Sequence, residues 1–578
     1  MKRWISVLLS VCILASALML HAGAQVQAQG AYDADPVVFL LGFSTADLYY
    51  DDGVSETKER VWNLSADGIL DRVKANLPLT LWGLFKAVFL HRYDTLNDAA
   101  AKIAEPVLNK MERLTMLPDG SSKYDVSVYP GFADEVPLSF RKSSRNVYLS
   151  GIYRALYNQY SRVYVFVADW RLGQLELARQ LDDFIQQVKE DSGRDQVTLF
   201  GFSQGGQTIG TYLYYYGDRG DVKKAVLETP AIGGTSFPSA ALDESMFDVQ
   251  VGTMIQFAEA YMESEMHYEW LGKLVTLAPL KQSILSIMTT HVLPIARYWG
   301  SLWDLIPAKD YDRLKAQYLD AAECAPLIRA SDAYHYEVLP HIGEKLRALQ
   351  AQGMPISIVC NTGNPLLFCG DYESDGILDS ANVSGAVVAP YGERLSPPVS
   401  GTVCSDPTHC HLSPSMTVDA SACYLPENTW FVDGQYHGQC DWDPYTYALL
   451  CKLLLEDTLT DVYADPAFPQ FAFAQSPADQ VNISFSQSGC YVSASDLTVT
   501  NLSAQKTMQL TGVTVSGTTL RVQTPRKTVL TPGESVTLTV SGSIPQSARY
   551  TPVTVWFTYT DKPIVLHSKT FKTSVLSN

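Results

Sequence analysis

Residues 197–213 read VTLFGFSQGGQTIGTYL, and the predicted fold class follows from them. It opens with an apolar run at 197–200 that is typical of a buried strand, and it closes with a helix-like segment. Between them lies Gly201-Phe202-Ser203-Gln204-Gly205, a G-x-S-x-G sequence between strand and helix. Such a turn is so tight that the flanking residues must lack a Cβ, and the serine is forced into a strained backbone conformation. We predict that Ser203 is a nucleophile, with an ordinary glycine-rich loop as the alternative.

The pattern around this stretch predicts an α/β protein. From residue 35 to about 455, short β-branched runs alternate with longer amphipathic stretches, which indicates βα units around a parallel sheet. Residues 172–189 place their large apolar side chains on one helical face and are predicted to form a crossover helix. The predicted buried strands are 37–41, 126–129, 163–167, 197–200, 224–227, 356–360 and 430–432. The fold class expected is therefore an α/β-hydrolase core with lid or cap insertions.

The two ends of the chain differ from this pattern. The start has Lys2-Arg3, an apolar run to Leu20 and small residues suited to cleavage, so residues 1–28 are predicted to be a secretory signal peptide. The hydrolase domain is predicted at 33–464, with insertions at about 49–123 and 238–332. A linker at 465–480 precedes residues 481–578, where period-two alternation predicts an Ig-like β-sandwich. No other apolar run is long enough to span a membrane. The mature protein is expected to be secreted, extracellular or periplasmic.

Charge excludes some classes of partner. The formal net charge is −18, and removal of Lys2 and Arg3 with the signal peptide makes it −20. Such an acidic surface disfavours nucleic acid and offers no polybasic membrane anchor.

Each insertion has a composition that suits contact with acyl chains. The apolar segment 79–90 in the first insertion is either a lipid-facing lid or a helix packed on the core. The second insertion is rich in Met, Trp and Tyr, and it follows the strand after the nucleophile helix, a common position for a cap.

Nine cysteines remain after signal removal, all from Cys324 onward. Close pairs suited to disulfides are Cys360/Cys369 and Cys404/Cys410. The cluster Cys404…His409-Cys410-His411 could hold zinc, but its spacing matches no standard site, so a loop or a disulfide is favoured. No metal and no organic cofactor is expected.

A serine nucleophile needs a base and an acid that orients the base, and in this fold they follow in the order Ser, acid, His. Asp375 lies in the loop after the 356–360 strand and is the predicted acid, with Asp371 and Asp379 as competitors. His437 lies in a glycine-flanked loop after the 430–432 strand and is the predicted base. His409 and His411 precede that strand and fit the topology less well.

These residues resemble motifs of the lecithin:cholesterol acyltransferase and lysosomal phospholipase family. The resemblance covers roughly residues 37–455, with the motifs in order. The matching stretches are Tyr129-Pro130-Gly131-Phe132, Ala168-Asp169-Trp170-Arg171, Glu228-Thr229-Pro230-Ala231-Ile232-Gly233-Gly234, Ser374-Asp375-Gly376-Ile377-Leu378 and Tyr436-His437-Gly438. Glu228 and Thr229 depart from the family pattern, and Leu41–Leu48 lacks the usual Pro and second Gly. The family's lid disulfide is also absent.

The resemblance implies that the backbone N–H groups of Phe132 and Gln204 stabilise the oxyanion. For Gln204 the position in the sequence supports the same role, because the amide after the predicted nucleophile lies at a helix N-terminus. The segment Asp169-Trp170-Arg171 is predicted to be a structural brace.

The sequence thus predicts an exported serine ester hydrolase or acyltransferase that acts on acyl-ester or lipid substrates. The alternatives are a peptidase or thioesterase of the same fold, or a non-catalytic binding protein on a hydrolase scaffold. The C-terminal domain is a possible contact to cell surfaces or polymers.

Overall fold

The computed structural model describes most of the chain after residue 34. The described residues are 35–62 except 56–57, isolated positions between 76 and 90, 92–128, 152, 163–243, 286, 288–396, 403–474 except 405, 407–408 and 441–442, and then 481–485, 497–501, 507–515, 521–523, 529–541, 551–560 and 562–573. The predicted signal peptide, the Phe132 motif and most of the apolar segment 79–90 lie outside these residues.

The strands of the first 474 residues include seven that build one sheet. In chain order they are β1 (Val37–Leu40), β2 (Leu48–Tyr50), β3 (Glu59–Arg60), β4 (Val126–Val128), β5 (Val163–Phe166), β6 (Val197–Phe202), β7 (Val222–Glu228), β8 (Ile356–Thr362), β9 (Asn364–Pro365), β10 (Glu373–Ser374), β11 (Val387–Val388), β12 (Val418–Asp419), β13 (Thr429–Asp433) and β14 (Phe471–Phe473).

The described helices range from one turn to five. They are α1 (Asp94–Met111), α2 (Gln174–Ser192), α3 (Gln204–Tyr216), α4 (Ser236–Leu242), α5 (Leu293–Ala296), α6 (Gly300–Asp304), α7 (Ala308–Tyr318), α8 (Ala325–Ala333), α9 (Leu339–Ala351), α10 (Ser380–Ser384) and α11 (Pro444–Leu455).

The central sheet is seven-stranded and parallel, in the order β14-β13-β8-β7-β6-β1-β5. Its strands are near-continuous apolar runs because helices cover both faces. On one face α2, α3 and α9 share a buried cluster with the sheet, and on the other face α11 packs against β1 and β13. The α/β class predicted from the sequence is confirmed.

The predicted crossover helix is α2, which joins β5 to β6. Its buried face carries the five side chains expected from the sequence, namely Leu177, Leu181, Phe184, Ile185 and Val188. The helix ends where Gly193 adopts a left-handed conformation with φ 67°, which terminates a helix at little steric cost. The connection therefore returns the chain in parallel beside β1.

Two strand predictions need correction. Residues 126–129 were expected in the buried sheet, but β4 instead pairs antiparallel with β2 in a separate sheet of three strands. Its side chains are only half-buried, so the short β-branched run does not mark a core strand. In contrast, β14 lies within the segment predicted as a linker and pairs in parallel with β13. The central sheet therefore continues beyond residue 464.

The two insertions contact each other over an aromatic cluster. Trp62 from the first insertion and Trp299 from the second lie 4.9 and 5.2 Å from Trp170, measured between ring centroids. Met111 and Leu114 at the end of α1 belong to the same buried cluster. Trp170 thus links both insertions to the end of β5.

After residue 480 the described residues form strands. They are β15 (Val481–Phe485), β16 (Leu497–Asn501), β17 (Met508–Val515), β18 (Arg521–Gln523), β19 (Val529–Leu530), β20 (Ser535–Ser541), β21 (Thr551–Tyr559) and β22 (Lys562–Thr573). They make two antiparallel four-stranded sheets, β15-β16-β20-β18 and β19-β17-β21-β22. Side chains from both sheets share one buried cluster, which contains Val499, Met508, Leu538 and Phe557. The Ig-like assignment and the domain boundaries stay predictions.

Among the described cysteines, the free thiols include Cys324, Cys360, Cys404, Cys410 and Cys423. The expected pair Cys360 and Cys369 is not joined, because each thiol points to a different carbonyl: Cys360 to Asn361 and Ser380, and Cys369 to Ser236. Cys404 and Cys410 are likewise unjoined. Among the described residues, no helix is both long enough and apolar enough to cross a membrane.

Candidate active site

Ser203 lies at the sharp turn between β6 and α3. Its backbone has φ 57° and ψ −123°, a strained conformation for a residue with a side chain. A Cβ on Gly205 would lie 2.7 Å from the Leu41 carbonyl oxygen, and one on Gly201 would lie 2.8 Å from the Gly205 carbonyl oxygen. Both glycines are therefore sterically required, as the sequence predicts for a nucleophile elbow.

Three backbone hydrogen bonds hold the strained turn. The Ser203 N–H donates to the Glu228 carbonyl at 3.0 Å, and the Ser203 carbonyl accepts from Ala231 at 3.1 Å and from Gln207 at 3.2 Å. The side chain of Gln204 donates to the Trp170 carbonyl at 3.0 Å. The start of α3 is thus fixed from β7 on one side and from the end of β5 on the other.

A continuous hydrogen-bond chain joins the three residues that the sequence singled out. The Ser203 hydroxyl lies 3.1 Å from Nε2 of His437, and Nδ1 of His437 lies 2.7 Å from Oδ2 of Asp375. The partners are 234 and 62 residues apart in the chain, so only the fold brings them together. His437 also donates its backbone N–H to the Asp375 carbonyl at 2.9 Å, which ties the two loops.

Asp375 is fully buried and held in one orientation. Its Oδ1 accepts from the backbone N–H groups of Ile377 at 2.9 Å and Leu378 at 2.7 Å, which leaves Oδ2 for the imidazole. The two competing acids are placed elsewhere. Asp379 accepts from the N–H and hydroxyl of Ser236 at 2.8 and 2.9 Å, and Asp371 is exposed.

The alternative histidines do not contact Ser203 or Asp375 in any described contact. His411 bonds to Gln470, and His409 lies beside Cys404 and Glu427. Both precede β13, whereas His437 follows it, and parallel strands expose their carboxyl ends at one edge of the sheet. Only His437 is therefore at the edge that carries Ser203.

Of the two predicted oxyanion donors, one lies within the described residues. Gln204 is the first residue of α3, so its backbone N–H lies at the positive end of the helix dipole, next to Ser203. Phe132 lies outside the described residues. The turn after β1 is also close to Ser203: a Cβ on Gly42 would lie 2.9 Å from the Ser203 Cβ and 3.2 Å from its hydroxyl oxygen. Sequence reasoning missed this contact, since it depends on β1 pairing beside β6.

A second buried carboxyl lies at the same edge of the sheet. Glu228 is the last residue of β7 and is fully buried, and its Oε1 accepts from the Asn361 side chain at 3.3 Å. Burial, with a smaller contribution from the charge of Asp375, raises the pKa of Glu228 to about 8. Near neutral pH this carboxyl is therefore protonated in the folded protein. In the sequence, Glu228 departs from the pattern of the family that residues 228–234 resemble, and this departure could have identified it.

Comparisons with known proteins give only distant matches. No family model and no curated protein matches the chain. Among solved structures, an esterase from Exiguobacterium antarcticum is 18% identical, with 33% of this chain and 55% of that chain covered and a TM-score of 0.16. The esterase RhEst1 from Rhodococcus sp. ECU1013 is 16% identical over 40% and 70% of the two chains, with a TM-score of 0.18. Phospholipase PlaB from Legionella pneumophila is 9% identical over 75% and 87%, with a TM-score of 0.24. At these TM-scores the matches assign neither family nor substrate.

Proposed function

We propose that the chain is a serine-dependent ester hydrolase or acyltransferase that acts on lipid-like acyl esters. The observation that carries the proposal is the hydrogen-bond chain from Asp375 through His437 to Ser203, with links of 2.7 and 3.1 Å. A nucleophile, a base and an orienting acid within hydrogen-bond reach are what acyl transfer through serine requires.

In the first half of the reaction Ser203 attacks the carbonyl carbon of the ester. His437 Nε2 takes the hydroxyl proton as the C–O bond forms, and then gives it to the leaving alcohol. Asp375 keeps the proton of the neutral ring on Nδ1 and stabilises the imidazolium that forms. The product of this half is an acyl-enzyme on Ser203.

The negative charge on the tetrahedral intermediate needs backbone donors. The Gln204 N–H supplies one, because it follows the nucleophile at the start of α3. For the second we propose an amide of the turn after β1, since Gly42 lies against Ser203 and this fold takes its second donor from such a loop. Phe132, implied by the family resemblance, is the alternative donor.

In the second half His437 activates water, for hydrolysis, or an acceptor alcohol, for acyl transfer. The apolar and aromatic composition of the two insertions favours acyl chains over peptides. The resemblance to the lecithin:cholesterol acyltransferase and lysosomal phospholipase family supports the same substrate class. Export from the cell, with surface or polymer contact through the last hundred residues, belongs to the proposal as well.

The test is a substrate panel combined with active-site labelling. Purified protein is assayed on p-nitrophenyl esters from acetate to palmitate and on phosphatidylcholine, with and without an acceptor alcohol. We expect turnover of acyl esters by the wild-type chain, none by the Ser203→Ala variant, and labelling of Ser203 alone by a fluorophosphonate. Ser331→Ala, which changes another buried serine, serves as the matched control and keeps its activity. Ester turnover retained in Ser203→Ala would refute the mechanism.

A further inference from the structure

A second cluster of reactive side chains lies away from Ser203. Cys404, His409 and His411 each offer one ligand atom, and these atoms all lie within 4.8 Å of one another. His409 lies beside Glu427, and His411 contacts Gln470, which bonds to Thr429 at the start of β13. His437 instead follows the end of β13 at Asp433. The cluster and the candidate active site therefore lie toward opposite ends of one strand.

The side chain of Gln470 determines which tautomer the neutral ring of His411 adopts. The amide nitrogen of Gln470 donates to the carbonyl oxygens of Pro426 at 2.6 Å and Thr429 at 3.1 Å, so its oxygen must face the other way. That oxygen lies 2.8 Å from Nδ1 of His411. An amide oxygen only accepts, so Nδ1 carries the ring proton and Nε2 presents a bare lone pair.

This lone pair is left without a partner. His411 is only 5% exposed, and its Nε2 is buried with no hydrogen-bond donor among the described residues. A buried acceptor in that state is costly unless something binds it. Donation from the other ring nitrogen to an amide or carbonyl oxygen is the usual support of a metal-binding histidine.

The spacing of the other two residues suits a metal of tetrahedral geometry. Cys404 Sγ lies 3.6 Å from Nδ1 of His409. Two ligands at about 2.3 Å (sulfur) and about 2.0–2.1 Å (nitrogen) from one zinc ion are about 3.6 Å apart at a tetrahedral angle. A carboxylate is also present, since Glu427 Oε1 lies 3.2 Å from the same His409 nitrogen.

We propose that Cys404, His409 and His411 bind a structural Zn²⁺ ion, with Glu427 or water in the fourth position. A thiolate with two imidazoles is a donor set that zinc favours. Bound there, the ion would fasten residues 404–411 to Gln470, which precedes β14 at the edge of the sheet. Zinc binding releases the thiol proton of Cys404 and changes no oxidation state. The proposal does not depend on the ester chemistry.

Two other arrangements compete with zinc. A hydrogen bond from His409 to Glu427 or Cys404 would account for those side chains, but it leaves the buried Nε2 of His411 unexplained. A disulfide between Cys404 and Cys410, which the sequence also allowed, would remove the thiolate altogether.

The experiment measures metal on the full chain, purified with a tag that contains no histidine. After equilibration with zinc and removal of the excess, we expect one zinc per chain in the wild type and loss of most of it in Cys404→Ser and in His411→Ala. Cys410→Ser and Ser203→Ala are the matched controls and retain the metal. Equal zinc loss in Cys410→Ser would contradict the ligand set, and wild-type protein without zinc would refute the site.

A second measurement uses the wild-type chain, so it does not depend on whether a variant folds. Cobalt(II) exchanged into the wild-type chain should give the intense d–d bands of a tetrahedral site and a thiolate charge-transfer band, both abolished by competing zinc. A cobalt spectrum without the thiolate band, a preference for copper over zinc, or a Cys404–Cys410 disulfide found by non-reducing peptide mapping would overturn the proposal. Zinc should also raise the Tm of the wild type but not that of Cys404→Ser.

Discussion

At the scale of single residues, the proposed mechanism gives His437 and Asp375 separate tasks. In that proposal His437 moves the proton, whereas Asp375 orients and stabilises the ring. The second oxygen of Asp375 accepts from two backbone N–H groups. A change at either position should therefore leave the fold in place and act on the chemical step.

We expect His437→Ala and Asp375→Asn each to lower kcat by about three to four orders of magnitude with little change in KM. In Asp375→Asn the amide oxygen stays on the backbone N–H groups of Ile377 and Leu378, so the amide NH2 faces Nδ1 of His437 and donates to it. The ring is then held in the wrong tautomer. Steady-state kinetics on a soluble ester measure both effects. Asp379→Asn is the control, because Asp379 bonds to Ser236. A larger loss of kcat in that control would transfer the acid role to Asp379.

Glu228 should make stability depend on pH. Its pKa is raised from 4.5 to about 8 in the folded chain, so between these values the folded state holds a proton that the unfolded state has released. The free energy of unfolding therefore falls as pH rises through this window, by about 1.4 kcal/mol per pH unit for one proton. The contribution is fully present below pH 4.5 and is lost by about pH 8.

Glu228→Gln keeps the shape but cannot ionise, so its stability relative to wild type should increase with pH across that window. Urea unfolding at several pH values measures the difference between the two proteins. Glu59→Gln, at an exposed position on β3, provides the comparison. If the difference in free energy of unfolding between wild type and Glu228→Gln stays constant with pH, Glu228 does not carry the proton.

At the scale of elements, α3 must start in direct contact with the end of β1. The Gly205 position has no room for a methyl group, because the carbonyl oxygens of Leu40 and Leu41 would lie 2.8 and 2.7 Å away. Gly210, one and a half turns later in the same helix, would place a Cβ 3.7 Å or more from its neighbours. Substitution of Gly205 therefore tests the steric requirement of the turn, whereas substitution of Gly210 tests only the helix.

Gly205→Ala should cost about 1–3 kcal/mol of stability and most of the activity, because α3 and Ser203 must shift away from β1. Gly210→Ala should be neutral or stabilise by about 0.5–1 kcal/mol through its better helix propensity. Thermal unfolding and ester turnover of both variants check this. An active, fully stable Gly205→Ala protein would contradict the tight elbow.

At the scale of the whole molecule, the last hundred residues have a buried cluster of their own, drawn from both of their sheets. All three residues of the hydrogen-bonded chain precede residue 474, where β14 has completed the central sheet. The two parts of the sequence therefore have separate cores.

Deleting residues 481–578 should leave turnover of a short-chain ester near the wild-type level and weaken binding to cells, polymers or particles. The truncated chain keeps β14. A second truncation after residue 464 removes β14 and should aggregate, because β13 then keeps only β8 as a partner and becomes an exposed edge strand. Activity assays and sedimentation binding measure the two effects. Aggregation or inactivity of the first truncation would mean that the last hundred residues stabilise the rest of the chain.

The sequence alone determined the features that contiguous residues impose. A G-x-S-x-G stretch between an apolar run and a helix-like segment favours a tight strand–helix turn over an ordinary glycine-rich loop. The apolar spacing of 172–189 favours a helix that packs on one side. The α/β class and the position of Ser203 followed from these local constraints.

Tertiary structure decided everything that depends on distant partners. The sequence favoured Asp375 but left Asp371 and Asp379 as competitors, and in the fold Asp375 is the one that bonds to His437. Distant partners also decided two strand positions: β4 joined a different sheet, and β14 completed the central one. In the same way, the contact with Gln470 determines which ring nitrogen of His411 keeps a lone pair. Sheet pairing and buried polar contacts join residues that are far apart in the chain. The energies of these contacts depend on how the whole chain packs, so no pattern among neighbouring residues predicts them.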